Sequence, residues 1–597
     1  MEPEMRIIVY SETTADSVGG NLGQPEYSYY FILKKYLPSL TRLGEVCHVE
    51  QPASEVDPLF EAASKAGVPS VFLSFTPPHR TAKGLKCPTV CVLAWEFDNI
   101  PSDDWDPEEP WQNWVKAIRE IGNVITISDY ATRVIKRQVG KGAKVVTIPA
   151  PVDPVAPGSA DNGSVIDRPS PVAAGSPRSL SLTAAVFDTE CLDIDTESVT
   201  PKLSAPDAAG HRQGAWDGRA VDWGFSSKAK TSGQYLVGFY GEEDWGSWSK
   251  TARPSVIFPW SLSGPVEVSI ETVGYGTNQG RTICVHMGNE TAELVLQSEL
   301  HTHTLRFAPA EAVNNLYFTG LSAVPEPGAR DHRTLGLGLS RVSMRRPGGE
   351  EGNAARGVGE ATATAAQTVT TALSFSGVVY TSVFNPADGR KNWLDIVTAF
   401  VWAFRNQPDR SLVLKMSHHN RSTFLGDLFL LFARLAPFQC RVVAIHGYLS
   451  AQELHNLVGV TDYFVNASVA EGQCLPLLEF MAEGVPAVSP DHTAMASYIK
   501  PENAFVVQSS HQPHIWPNDP RECYRTLSNR IDWDSLRRGF VDSAAVVVAE
   551  PERYQAMSRT ASATVAQLYS SAEILKRLQK FLGATAKRRR WRFLRRG

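Results

Sequence analysis

The chain has 597 residues, 43% of them hydrophobic and 20% charged, and a net charge of −5. That length exceeds a single core and predicts three or four domains, and no run approaches the roughly 20 apolar residues that span a bilayer. Eight scattered cysteines without a CxxC pair argue against both a structural zinc site and a disulfide framework. The opening MEPEMRIIVY is acidic where a secretory signal would be basic, so a cytoplasmic location is expected.

The first 150 residues alternate strand and helix. RIIVY has the continuous apolar character of a strand buried on both faces of a parallel sheet. A loop containing Gly19, Gly20 and Gly23 follows, then the helical SYYFILKKYLPSL. The strands EVCHV, SVFLSF, TVCVLAW, VITIS and KVVTIP continue the alternation. The pattern predicts a Rossmann-like, doubly wound domain over 1–154, with ligands at the carboxyl ends of its strands.

Residues 155–178 are rich in Pro, Gly, Ser and Ala and read as a linker. Helical periodicity then disappears over 179–346. Segments such as VEVSIETVGY and TICVHMGN alternate apolar and polar residues, which predicts an inserted antiparallel β-sandwich. A low-complexity linker (347–373) closes it. The βα alternation resumes over 374–560, so the sandwich is expected between two Rossmann-like halves that face a cleft. An apolar-periodic stretch within 561–586 is expected to pack back across the halves, ahead of a basic tail, 587–597. That tail holds seven positive charges, which leaves the rest of the chain at −12. An acidic body of this kind does not suit a nucleic-acid enzyme.

The stretch with chemistry is Glu471–Pro486, EGQCLPLLEFMAEGVP. Pro476 suits the first turn of a helix, where its missing N–H costs nothing. Glu471 then lies in the loop before that helix, and Glu479 about one turn inside it. Gly472 permits close backbone approach to a ligand, and the helix N-terminus aims unpaired amides at an anion. A Glu-x7-Glu spacing alone is weak; the strand end, loop, Pro-started helix and returning strand give it meaning.

This segment resembles the signature E-G-x-x-x-P-x-x-E-A-M-A-x-G-x-P of the retaining GT-B glycosyltransferases of family 4. The resemblance implies that Glu471 holds the transferred sugar through its hydroxyls and Glu479 the nucleotide ribose. Gly472, Gln473, Cys474 and Leu475 would line the donor pocket. Gln473-Cys474 departs from the usual Phe-Gly, and Phe480 from the usual Ala. In Asp388-Gly389-Arg390-Lys391-Asn392, Lys391 matches the family's lysine at the leaving diphosphate. The family's arginine six residues earlier is replaced by Asn385, so Arg390 or Lys415 is expected to substitute. By the same analogy Gly19, Gly20 and Gly23 form an acceptor or phosphate loop. Glu96, in a Trp-Glu pair followed by Pro101, is a candidate acceptor contact or base, and His492 and Thr493 could touch donor or acceptor. No metal is expected and no cofactor beyond a nucleotide-diphosphate sugar as donor substrate.

Tyr240, Trp245 and Trp248 in the insert are candidates for a glycan-stacking platform. The tail combines its cations with Trp591, Phe593 and Leu594, which suits an anionic membrane surface. The expected function is hexose transfer to a glycan or lipid-linked glycan of a bacterial surface polysaccharide, at the inner face of the cytoplasmic membrane. A GT-B sugar-nucleotide epimerase and a non-catalytic glycan-binding scaffold are the alternatives.

Overall fold

The computed structural model describes residues 5–13, 27–154, parts of 177–347, 371–418, 422–517 and 519–593. Strands β1 (Met5–Ser11), β2 (Gly44–His48), β3 (Ser70–Phe75), β4 (Thr89–Leu93), β5 (Asn123–Thr126) and β6 (Lys144–Thr147) form one sheet in the order β2-β1-β3-β4-β5-β6. Every neighbouring pair is parallel. Parallel strands need crossover helices, and helices on both faces bury successive residues alike. Ile7, Val9, Val71 and Leu73 pack toward α1 (Tyr27–Thr41), while Ile8 and Phe72 pack with Val56 of α2 (Pro52–Lys65). Side-chain caps start the next two helices. Asn113 accepts from the Val115 and Lys116 amides at α3 (Trp114–Ile121), and Ser128 accepts from the Ala131 amide at α4 (Asp129–Val139).

The second sheet contains β7 (Val378–Phe384), β8 (Arg410–Met416), β9 (Arg441–His446), β10 (Tyr463–Val465), β11 (Ala487–Pro490) and β12 (Ala504–Val507). These lie in the order β12-β11-β10-β7-β8-β9, all parallel. Strand order reverses between β7 and β10, and the crevice beyond their carboxyl ends is where such a sheet binds ligands.

The expected domain boundaries at 178/179 and 373/374 do not hold. Arg178–Leu182 pairs antiparallel with Thr371–Phe375, and Ala185–Asp188 adds antiparallel to the edge of β9. The chain therefore enters the second domain before it leaves for the insert. The insert grows out of that domain rather than sitting between the two halves. RSLSL alternates like the insert's strands, and only pairing with a segment about 190 residues later assigns it elsewhere.

Within the insert, two five-stranded antiparallel sheets share one apolar cluster that includes Trp223, Phe225, Phe258, Ile270, Val285, Phe318 and Leu339. The terminal helical stretch is two helices, not one. Ala561, Val565 and Tyr569 of the helix Pro551–Tyr569 pack into the second domain, whereas Ile574, Leu578 and Leu582 of the helix Ser571–Phe593 pack into the first. The break lies where the chain first left that domain. The Val152 amide donates to the Tyr569 carbonyl at 2.8 Å, and the Ser571 amide to the Asp153 carboxylate at 2.9 Å. The basic tail's side chains and Gly19, Gly20 and Gly23 lie outside the described residues. Among the described residues, no helix is long and apolar enough to cross a membrane.

Candidate active site

The β7/β10 crevice collects charge from three loops. The loop after β7 supplies Asp388, Arg390 and Lys391, the loop after β10 supplies Glu471, and the loop after β4 of the first domain supplies Glu96. Lys391 Nζ lies 2.5 Å from Glu471 Oε1. Arg390 donates in fork geometry to Asp388, Nε to Oδ1 at 3.1 Å and Nη2 to Oδ2 at 2.7 Å, and its Nη1 donates to Glu96 across the domain boundary. Five charged groups thus form one network through which the two domains touch.

The network is largely buried, which makes its balance decisive. Burial alone would drive each group toward its neutral form. At Glu471 that push is outweighed by Lys391 and Arg390, and its pKa ends below the ordinary glutamate value. Burial likewise opposes the charge on Lys391, but Glu471 holds it protonated. Glu96 differs. Burial raises its pKa, Arg390 only partly offsets this, and Asp388 and Glu471 add to the rise. One carboxylate in the cleft is therefore held ionised and another is brought closer to taking up a proton.

Backbone strain gathers at the same place. Four described non-glycine residues have positive φ, and three flank the network: Asn392 (49°), Cys474 (60°) and Thr493 (51°). Such conformations persist only where the surroundings over-determine them. Asn392 follows Lys391 and starts α5 (Trp393–Phe404), and Cys474 starts α6 (Leu475–Ala482). Neither supplies a side-chain cap in hydrogen-bond geometry, and the Leu475 amide at the start of α6 has no acceptor within the helix, so it can face an anion. Thr493 Oγ1 accepts the Glu471 amide at 3.1 Å, and the Val469 amide donates to the Arg390 carbonyl at 2.8 Å. The two catalytic-candidate loops are braced by these bonds.

Glu479 lies one helical turn deeper, between two lysines. Lys35 of α1 reaches across the cleft to its Oε1 at 2.6 Å. Lys415, at the end of β8, is buried, and burial pushes its pKa down to about 8 while Glu479 opposes the change. Lys415 Nζ donates to Ser417 Oγ. Asn385 is buried in the loop after β7, where its Oδ1 accepts the Ala387 amide.

The remaining residues of the motif meet the first domain. Gln473 uses its side-chain amide on the backbone of Ala150, accepting from N at 3.0 Å and donating to O at 2.8 Å. Its own carbonyl accepts from Tyr498 Oη. Leu475 packs against the apolar clusters of both domains. Gly472 faces Trp95, Ala94 and Glu96, with room for a Cβ at ordinary contact distance. The buried Cys474 thiol has its pKa raised, first by burial and then by Glu471.

Two features escaped sequence reasoning. Lys35 lies in an ordinary-looking amphipathic helix and carries no local signal. A β-hairpin, Ser509–Ile515 with Tyr524–Ile531, leaves the second domain and straps the first. Asp98 accepts from Thr526 Oγ1 and the Leu527 amide at 2.8 and 2.9 Å, Trp516 Nε1 donates to Asn99 at 2.7 Å, and Arg521 pairs with Asp103 at 3.1 Å. Acidic residues at 98 and 103 with arginines at 521 and 525 were the only trace of it.

The insert's three aromatics come together, but not as a flat platform. Trp245 and Trp248 meet edge to face with ring centroids 4.9 Å apart, and the Arg333 guanidinium lies 5.2 Å from the Tyr240 ring. All three aromatics are half-buried. A Cβ on Gly338 would come within 2.6 Å of Trp245 and 2.9 Å of Trp248, so only glycine fits beneath them.

Two family models match parts of the chain. Residues 429–516 match "Glycosyl transferases group 1", and residues 226–346 match "Domain of unknown function (DUF7024)". No curated protein matches. Among solved structures, the pneumococcal O-GlcNAc transferase GtfA in complex with UDP and GlcNAc is 16% identical over 36% of this chain and 38% of its own, with a TM-score of 0.27. Anabaena Alr3699/HepE in complex with UDP and glucose is 13% identical over 35% and 48%, with a TM-score of 0.27. A glycosyltransferase from Rickettsia africae ESF-5 is 9% identical over 98% and 100%, with a TM-score of 0.43. The matched part spans less than half of each of the first two structures.

Proposed function

We propose that the protein is a GT-B glycosyltransferase of the family 4 type that moves a hexose from a nucleotide-diphosphate sugar to a glycan acceptor. The observation that carries this reading is the Lys391–Glu471 pair at the β7/β10 switch point, facing Glu96 of the other domain. The group 1 match over 429–516, which contains Glu471 and Glu479, supports it.

Glu471, held ionised, accepts hydrogen bonds from the hydroxyls of the transferred sugar. Lys391 and Arg390 exchange their carboxylate partners for the departing diphosphate, where a positioned cation favours the transition state by several kcal/mol. Lys415 and the amide end of α6 add to that charge, so the reading requires no metal ion. Glu479 takes the ribose hydroxyls. Transfer retains anomeric configuration, with the acceptor attacking on the face the diphosphate leaves and a diphosphate oxygen receiving its proton. Glu96 contacts the acceptor. The two antiparallel sheets of the insert form a β-sandwich whose Tyr240, Trp245 and Trp248 hold the growing polysaccharide. The basic tail draws the enzyme to an anionic membrane surface carrying a lipid-linked acceptor.

The test incubates the purified chain with UDP-, GDP- and dTDP-sugars and measures nucleoside diphosphate release, with and without lipid-linked glycan. Acceptor-stimulated release with one donor is expected. No release with any donor, or wild-type turnover in Lys391→Ala, overturns the reading.

A further inference from the structure

His492 and Thr493 follow β11 and are not needed to explain the charge network. Thr493 nonetheless adopts a φ of 51°, which a β-branched side chain strongly resists. Glycine would relieve that strain but would remove the hydroxyl, and the hydroxyl has two neighbours. Its oxygen accepts the Glu471 amide at 3.1 Å and lies 3.3 Å from His492 Nδ1. The hydroxyl has one proton to give, and among the described residues His492 Nδ1 is its available acceptor. Nδ1 is then the unprotonated nitrogen, and Nε2 carries the hydrogen.

That Nε2–H is sealed from solvent and has no hydrogen-bond partner among the described residues. A buried donor without an acceptor is costly and uncommon, and one that persists in a native site calls for an explanation. Burial lowers the pKa of His492 to about 4, with Glu471 opposing and His511 adding to the shift, so the ring is neutral at physiological pH. The ring lies between the Glu471 loop and the hairpin strand that carries His511. Beside Glu471 it offers a hydrogen without a charge.

We propose that His492 is a substrate-contacting hydrogen-bond donor, its Nε2–H fixed by Thr493 and directed at an oxygen of the bound nucleotide sugar. This rests on the glycosyltransferase reading of the same cleft. Thr493 is a positioning residue that sets the imidazole tautomer and the Glu471 loop through one hydroxyl. The acceptor oxygen belongs either to the transferred sugar or to its diphosphate, and both present the same chemistry to a neutral donor.

Two measurements test the assignment. In the full chain, His492→Ala is expected to lower kcat/KM for the preferred donor on the order of 100-fold, as loss of one positioned donor does elsewhere. His492→Gln places an amide N–H near the lost Nε2 and is expected to restore most of it. Equal activity in His492→Ala and wild type, or equal damage in the two variants when both are folded by circular dichroism, overturns the proposal. Binding of nucleoside diphosphate alone separates the two oxygens: weakened binding in His492→Ala places the contact on the diphosphate, and unchanged binding with a raised KM for the sugar nucleotide places it on the sugar. Either result supports a contact. Nitrogen-15 shifts of labelled histidine, assigned by the signal lost in His492→Gln, read the tautomer without any turnover. An Nε2–H tautomer at pH 7 that is lost in Thr493→Val is expected. An Nδ1–H tautomer overturns the proposal even if transfer is observed, whereas absent turnover with the expected tautomer faults the transferase reading alone.

Discussion

In the cleft, five charged side chains from two domains are paired largely out of solvent, and three non-glycine residues beside them hold left-handed backbone. Around Trp245 and Trp248 in the insert, the charged pair Arg333–Glu243 stays substantially exposed, and the tight position is filled by glycine. Buried charge and strain lower stability unless something specific requires them. The cleft keeps both, whereas in the insert no described non-glycine residue holds left-handed backbone and the buried carboxylate there, Glu267, pairs with two exposed arginines. That contrast is what the proposed function expects, with chemistry in the cleft and recognition by surface contact in the insert.

The sharpest way to break this contrast is to neutralise the buried pair. Glu471→Gln is expected to reduce nucleoside diphosphate release on the order of 100- to 1,000-fold. Lys391→Met should do the same and also cost about 3–5 kcal/mol of stability, because it leaves the Glu471 charge buried and unpaired. The double variant should recover much of that stability in denaturant unfolding and none of the activity. Recovery of activity as well would mean that the pair is structural.

Lys415 gives the next largest effect. Its folded pKa of about 8 lies below the usual lysine value, so between the two the unfolded chain binds more protons. Stability should then rise with pH from about 8 to about 10.5, by roughly 3 kcal/mol in total. Lys415→Met should flatten that rise in urea unfolding followed across the same window. A slope that survives the substitution would assign it to another group.

Gly338→Ala tests the other side of the comparison. The added Cβ meets Trp245, Trp248 and Val273, and overpacking of this kind costs about 1–3 kcal/mol. The insert should melt earlier by tryptophan fluorescence while donor hydrolysis is unchanged. Loss of hydrolysis would show that the insert is coupled to the cleft. The smallest effect is expected at Lys35, whose pair with Glu479 is partly exposed. Exposed pairs are worth about 0.2–1 kcal/mol, so Lys35→Ala should tighten nucleoside diphosphate binding by no more than about fivefold in calorimetry. Weaker binding would mean that Lys35 itself touches the nucleotide.

The strands of both parallel sheets were legible because burial on two faces leaves continuous apolar runs such as RIIVY and VVYTSVF. Glu471, Glu479 and Lys391 could be singled out because they match a family signature whose helix start, strand return and charged turn are local in sequence. Other features depend on pairing between distant segments, which no local pattern encodes. RSLSL looks like an insert strand until Thr371–Phe375 claims it. Gln473 reads as a pocket residue until its amide is found on Ala150. The link of Arg390 to Glu96 joins residues 294 positions apart. The sequence alone determined which loops carry the candidate residues, since backbone conformation and burial periodicity act over a few residues. Tertiary structure decided which charges meet, because burial sets the protonation of Glu96, Lys415 and His492 and exists only once both domains have closed around them.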